Sequence, residues 1–138
     1  MKKDYFYYEN RFVACVLSTL ETDYANPKSV RVHNRCVDHY RQYASKIDAD
    51  FPEYIGRFSE LLHHDNSAVR AGCAVCLLEL MHFSEQQKKD ALAIIQQERQ
   101  TAASEADRFG WELWQNDWDS GAIQTVYGPS NRCDYHIL

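Results

Sequence analysis

The chain has 138 residues, of which 45% are hydrophobic and 25% charged, and 15 basic against 20 acidic side chains give a net charge of −5. This length suits one domain with its own core, and the negative charge argues against nucleic acid or an anionic membrane surface as the main partner. Six Phe, nine Tyr and three Trp, with only five Gly and three Pro, argue against a disordered chain and against a turn-rich β fold.

The first third of the chain carries apolar side chains at three- and four-residue steps, the spacing of amphipathic helices. One stripe consists of Tyr5, Phe12, Val13, Val16, Leu17 and Leu20. A second consists of Val30, His33, Val37, Tyr40, Ala44 and Ile47. Pro27 precedes the second stripe and suits the first turn of a helix. We expect no signal peptide, because charged residues surround the short apolar run at 12–20, and no stretch approaches the roughly 18 apolar residues of a membrane span.

Four more helical segments are predicted after residue 50. The third segment has the stripe Ile55, Phe58, Leu61 and Leu62, and the fourth has Val69, Cys73, Cys76, Leu77, Leu80 and Met81. Ser84 and Gln87 form a capping-box pattern that begins the fifth. Six consecutive polar residues, Gln96 to Thr101, favour a break near residue 100 over one helix across 85–116.

These patterns predict an all-α fold and a single domain, 1–138. It should contain about six helices in antiparallel pairs, at approximately 4–48, 51–82 and 85–116, because turns of two to six residues usually join neighbouring helices. From Asp119 onward the helical periodicity is lost, so residues 119–138 are predicted to form an irregular tail.

The middle pair carries a recognisable signature. It reads Phe58-x-x-Leu61-Leu62-x-x-Asp65-x-x-x-Val69-Arg70-x-x-x-Ala74-x-x-Leu77-x-x-Leu80, and it resembles a HEAT repeat. The resemblance covers the middle pair, about 30 residues, and implies a HEAT-like stack of helix pairs. Within it, Asp65 is expected to cap the turn or the fourth helix, and Arg70 is expected to reach an acidic neighbour. In size, charge and helical type, the chain also resembles small acidic bacterial immunity proteins of contact-dependent growth inhibition systems.

No motif of an enzyme is present: the sequence has no G-x-S-x-G, no Walker loop and no H-E-x-x-H. Cys73-x-x-Cys76 lies inside a predicted helix among apolar residues, so we interpret it as two core residues. His33, Cys36 and His39 are evenly spaced but lack a second set of ligands for tetrahedral zinc. We therefore expect no catalysis, no metal and no cofactor.

The most distinctive stretch is the last predicted helix, which combines acidic residues with all three tryptophans. Its candidate partner-binding residues are Glu105, Asp107, Trp111, Glu112, Trp114, Asp117, Trp118 and Asp119. At about 100° per residue, the tryptophans share one face, roughly opposite the stripe Ala102, Ala106, Phe109 and Leu113. That stripe is predicted to face the core. The tryptophans are then either covered by the tail or by other helices, or form an interface of the kind in which Trp is enriched.

The leading hypothesis is an immunity protein that binds and neutralises a basic toxin, a nuclease domain, without catalysis. Nucleases carry positive surfaces for their phosphate substrate, so an acidic inhibitor competes electrostatically. One alternative is a scaffold or regulatory subunit of a larger assembly. Another is a HEAT-like DNA glycosylase, for which Arg31, Arg35, Arg41 and Lys46 would supply the basic groove. An odd number of cysteines, five, favours a reduced, cytoplasmic protein. The oligomeric state stays open.

Overall fold

The computed structural model describes residues 2–125 and 128–129. In this part of the chain the α-helices are α1 (Tyr5–Ser18), α2 (Pro27–Asp50), α3 (Ile55–Phe58), α4 (Ser67–Leu80), α5 (Glu85–Gln100) and α6 (Glu105–Asp119). Short 3₁₀ segments cover Thr19–Glu21, Pro52–Tyr54 and Ser59–His63. Two-residue strands, β1 (Gln124–Thr125) and β2 (Gly128–Pro129), pair antiparallel. The all-α prediction is confirmed.

Side-chain caps set the starts of the first two helices. Oδ1 of Asp4 accepts a hydrogen bond from the Tyr7 N–H at 2.9 Å, and Oδ1 of Asn26 accepts one from the Lys28 N–H at 2.9 Å. Such caps satisfy N–H groups that have no partner within the helix. Pro27 occupies the first position of α2, as its fixed φ and missing N–H predict.

The third segment is more broken than the apolar stripe predicts. A single α-helical turn, α3, lies between the 3₁₀ segments Pro52–Tyr54 and Ser59–His63. Gly56 lies inside this short stretch, and glycine is a poor helix former because it loses more backbone freedom than other residues. The stripe still contributes to the core, since Phe58 and Leu62 are buried.

Helix α4 lies at the centre of the fold and contacts α1, α2 and α5. Its N-cap is Asn66, whose Oδ1 accepts from the N–H groups of Ala68 (2.8 Å) and Val69 (3.3 Å). The expectation that Asp65 provides this cap is wrong, because Asn66 directly precedes the helix. Nor does Arg70 form an ion pair with any acid in the described part of the chain: its Nη1 donates to the backbone carbonyls of His64 (2.7 Å) and Asp65 (3.0 Å).

The predicted break near residue 100 is confirmed. Helix α5 begins with the predicted capping box, in which the Ser84 Oγ accepts from the Gln87 N–H and the Gln87 side chain accepts from the Ser84 N–H. It ends at Gln100. The Ser104 Oγ then accepts from the Asp107 N–H at 3.1 Å and caps α6, so the polar run 96–101 marks a real helix end.

The buried side chains form a connected core cluster that extends from Tyr5 on α1 to Trp118 on α6. The cluster has members on every α-helix of the described residues, and α4 supplies the largest share of them. Among the described residues, no helix combines the length and the apolar character that crossing a membrane requires.

Only the beginning of the predicted irregular tail lies within the described residues. Helix α6 extends through Asp119, one residue into the predicted tail. The Ala122 N–H then donates back to the Asp117 carbonyl at 2.8 Å, and Gly121 has a φ of +79°, a left-handed conformation that glycine adopts at helix ends. Residues 126–127 and 130–138 lie outside the described part.

Candidate protein-binding surface

The three tryptophans of α6 point towards the rest of the fold. Trp118 is 4% exposed and belongs to the core, while Trp111 and Trp114 are half-buried against it. The rings of Trp114 and Trp118 stack with 5.5 Å between centroids and 11° between planes. An offset stack of this kind adds to the stabilisation from burial alone.

The predicted orientation of α6 is therefore wrong. Phe109 and Leu113, which were expected in the core, are 58% and 48% exposed. Ala106, on the same stripe, is exposed as well, and Ala102 precedes the helix. Indole rings carry more apolar area than the phenylalanine, leucine and alanine side chains of the other face, so burying the tryptophans stabilises the fold more. This difference in area is the signal that the sequence offered for the correct orientation.

A carboxylate on α4 fixes this orientation. Oε2 of Glu79 accepts a hydrogen bond from the indole Nε1–H of Trp114 at 2.9 Å, and Oε1 accepts from Nη2 of Arg41 at 3.0 Å. Buried indole N–H groups generally need such a partner. One side chain thus joins α2, α4 and α6.

The predicted partner-binding residues consequently separate into two sets. Trp111, Trp114, Trp118 and Asp107 lie on the inner side of α6, at about 140–200° from Phe109 when each residue turns the helix by about 100°. The other four acids, which like Asp107 are exposed, lie within about 80° of Phe109 on the same projection. They are Glu105, Glu112, Asp117 and Asp119.

We call the exposed set the outer α6 face, defined as Glu105, Phe109, Glu112, Leu113, Asp117 and Asp119. Two apolar side chains occupy its centre and four carboxylates border them. Among the described residues none of these acids forms an ion pair, although Asp119 accepts a hydrogen bond from Nε2 of Gln115 at 3.0 Å. An apolar centre with a charged border is the usual anatomy of a protein interface.

The inner set borders a second feature, an opening beside the first turns of α6. Two neighbouring cavities, of about 410 and 600 Å³, share the lining residues Leu20, Ser67, Glu98, Asp107 and Trp111. We call the two together the α6 cavity. Burial raises the pKa of the Glu98 carboxyl above its usual value, and the nearby Arg70 opposes that rise.

The cysteine motif is part of the core, as predicted. Cys73 and Cys76 are fully buried, and the Cys73 Sγ–H points to the Phe58 carbonyl at 3.5 Å. Burial raises the pKa of both thiols, that of Cys76 to about 12. Because the thiolate is the reactive form of cysteine, these thiols are suited to packing.

The histidines of the predicted α2 cluster make ordinary local contacts. The His33 Nδ1 lies 2.9 Å from the Thr22 hydroxyl, and the His39 ring packs near Tyr43. Within the described residues no group of three His, Cys, Asp or Glu side chains has a geometry that could hold a metal ion.

The basic side chains considered for nucleic-acid binding are partly neutralised. Arg41 pairs with Glu79 at 3.0 Å and Lys46 pairs with Asp50 at 2.6 Å. Arg31 and Arg35 are exposed on α2. Two of the four cations are thus engaged by carboxylates of the chain itself, which weakens the basis for a basic groove.

Compared with known proteins, the chain matches no family model, no curated protein sequence and no solved structure. Its function is therefore inferred from α6 and the surfaces around it.

Proposed function

We propose that this chain is a non-catalytic protein-binding domain that recognises a basic protein through the outer α6 face. The observation that carries the proposal is the exposure of Phe109 and Leu113, 58% and 48%, inside a border of carboxylates without ion pairs among the described residues. Large apolar side chains in a charged setting mark interaction sites more often than isolated surface residues do.

The distribution of charge along the chain indicates the class of partner. Residues 100–138 contain six acidic and two basic side chains, a balance of −4 out of −5 for the whole chain. Carboxylates concentrated at one end attract a positively charged protein and speed its encounter. Phe109 and Leu113 then supply the apolar contact, because the desolvated centre of an interface carries most of its binding free energy.

Within this class we propose an immunity protein that neutralises a basic toxin, a nuclease domain, in the cytoplasm of the producing bacterium. Small size and acidity support this, because a nuclease presents a positive surface to its phosphate substrate and an acidic inhibitor competes for that surface. The HEAT-like signature at 58–80 supports it too, since helical stacks of that type offer extended binding surfaces.

The test is co-purification with the product of the adjacent gene, at low and at high salt. Replacing both apolar residues, Phe109→Ser with Leu113→Ser, should weaken binding by more than about tenfold, the loss expected for interface centres. The matched control is Val32→Ser, which removes a side chain with 52% exposure from α2 and should leave affinity unchanged.

The charged border is tested separately. Glu105→Gln, Glu112→Gln and Asp117→Asn together should slow association and flatten its salt dependence. The control Glu21→Gln, Glu53→Gln and Glu60→Gln removes three exposed carboxylates elsewhere. If both triple variants lose affinity equally, only net charge matters and the outer α6 face is not the interface. If the adjacent gene encodes no basic toxin, the immunity assignment is wrong.

A further inference from the structure

The α6 cavity combines the features that recognise a cationic side chain. It lies between the end of α1, the start of α4, the second half of α5 and the start of α6, and its two parts share Trp111, Glu98 and Asp107. Its volumes, about 410 and 600 Å³, fall in the range of roughly 300–1,000 Å³ that small-ligand sites occupy. The inner part is apolar, with Val16, Ala71 and Val75 among its walls.

The charge of the lining favours a cation. Glu98 and Asp107 bear negative charge, and Arg70 bears positive charge, so the ionisable lining sums to −1. Neither carboxylate forms an ion pair or a side-chain hydrogen bond among the described residues. The Arg70 guanidinium is engaged instead by the carbonyls of His64 and Asp65. Both carboxylates therefore border the opening without a salt-bridge partner among the described residues, although Arg70 also lines it and acts on Glu98 electrostatically.

Trp111 adds an aromatic surface to this pair of acids. It is half-buried, and no hydrogen bond of its indole N–H is found among the described residues, whereas Trp114 donates to Glu79. The planar guanidinium of arginine can stack on an indole and at the same time present several N–H donors to carboxylates. The compact ammonium group of lysine stacks less well on an indole and has fewer N–H donors in a fixed arrangement.

The helix ends near the cavity are compatible with a bound cation. Helix α5 ends at Gln100 beside the cavity, and the partial negative charge of a helix C-terminus favours a cation. The start of α6 carries the opposite partial charge, but Glu105 and Asp107 lie in its first turn and offset it.

We propose that the α6 cavity binds one arginine side chain, presented by an exposed segment of the partner protein, between the Trp111 indole and the carboxylates of Glu98 and Asp107. This inference rests on the proposed function, because the same basic partner supplies the arginine. The cavity and the outer α6 face lie on opposite sides of one helix, so the partner would enclose the start of α6 from both sides.

The experiment uses the whole chain and a probe that needs no partner. N-acetyl-arginine amide is titrated into ¹⁵N-labelled protein, and the indole N–H signal of Trp111 is followed, with those of Trp114 and Trp118 as internal references. We expect a saturable shift confined to Trp111, and no saturable shift with N-acetyl-citrulline amide, which has nearly the same shape without the charge. The lysine analogue should bind several-fold more weakly.

Variants test the two carboxylates. Glu98→Gln and Asp107→Asn should each weaken arginine binding about tenfold, because each removes a charge-assisted hydrogen bond. Glu112→Gln, on the outer α6 face, is the matched control and should have no effect. An equal response to citrulline, equal binding of lysine, or no saturable shift of Trp111 in the unmodified protein would overturn the assignment.

The titration also separates this inference from the proposed function. If arginine fails to bind while Phe109→Ser with Leu113→Ser still abolishes capture of the basic partner, the α6 cavity is not an arginine site and the outer α6 face remains the proposed interface. If arginine binds and no basic partner is captured, the cavity stands as a guanidinium site and the proposed interface fails.

Discussion

Trp114 on α6 donates its indole N–H to Glu79 on α4 across 2.9 Å, and the other oxygen of that carboxylate accepts from Arg41 on α2 at 3.0 Å. Both charged side chains are partly buried, 21% exposed for Glu79 and 35% for Arg41. The arrangement determines which side of α6 meets the core, because a tryptophan held to α4 leaves Phe109 and Leu113 on the opposite side.

Removing this carboxylate should destabilise the fold. We expect Glu79→Ala to lower the free energy of unfolding by about 1–3 kcal/mol, because it leaves two partly buried donors without their acceptor. Urea denaturation followed by tryptophan fluorescence measures the change. The control Asp50→Ala breaks the exposed pair with Lys46 and should cost less than about 1 kcal/mol. Equal losses would mean that Glu79 contributes no more than a surface ion pair.

Two glycines near α6 should respond oppositely to alanine. At Gly110 no atom other than those of its chain neighbours and of the nearby α6 backbone lies within 4 Å of the position that a Cβ would take, so Gly110→Ala should raise the free energy of unfolding by about 0.5–1 kcal/mol through helix propensity. At Gly121 the positive φ of +79° makes an alanine strained, and Gly121→Ala should lower it by about 1–2 kcal/mol. The same urea denaturation reports both. Destabilisation at Gly110 would contradict the open surroundings in the structure.

Helix ends were predictable from the sequence because their causes are local. The capping box of Ser84 with Gln87, the proline at the first position of α2 and the polar run before Ser104 all act within a few residues. The same holds for buried stripes on helices with one apolar face, such as Phe12 and Val16 on α1. Local rules also explain why Asp65 was mistaken for the cap, since Asn66 stands one residue closer to the helix.

The orientation of α6 was not predictable from such local rules. Periodicity gives the angle between Trp114 and Phe109 around the helix, but it does not say which of them faces the fold. That choice depends on which face has the larger apolar area to bury and on the hydrogen bond from Trp114 to Glu79, which is 35 residues away along the chain. The same limit applies to the α6 cavity, where Glu98 and Asp107 meet Leu20 from a distant part of the sequence.

The two core cysteines should be unreactive in the folded protein. Burial raises the pKa of the Cys76 thiol to about 12, and it raises that of Cys73 as well. At pH 8 the thiolate, which is the nucleophile, is scarce at both positions. We therefore expect iodoacetamide to modify Cys73 and Cys76 only after urea unfolds the chain. Peptide mass spectrometry assigns the labelling to each cysteine. Modification of Cys76 at equal rates with and without urea would contradict its burial.

The ionised Glu98 carboxylate should lower the free energy of unfolding at neutral pH. Burial raises the pKa of its carboxyl in the folded state, with Arg70 opposing, so the unfolded chain loses this proton first as pH rises. Both states are protonated below the ordinary carboxyl pKa of about 4. From there, stability is lost as pH rises, and the loss is complete above the folded pKa. Because Glu98 is partly solvated, we expect the total loss in the free energy of unfolding to be less than about 1 kcal/mol.

Glu98→Gln should therefore unfold at a higher urea concentration than the unmodified protein at pH 7, and at nearly the same concentration at about pH 3, well below the ordinary carboxyl pKa, where the carboxyl is protonated in both states. Glu112→Gln, which is exposed on α6, is the control and should show no such pH-dependent difference. A Glu98→Gln variant that is less stable at pH 7 would show that the attraction to Arg70 outweighs desolvation. The carboxylate would then contribute to the stability of the fold. Its presence in the α6 cavity would be explained by stability alone, without a role in binding arginine.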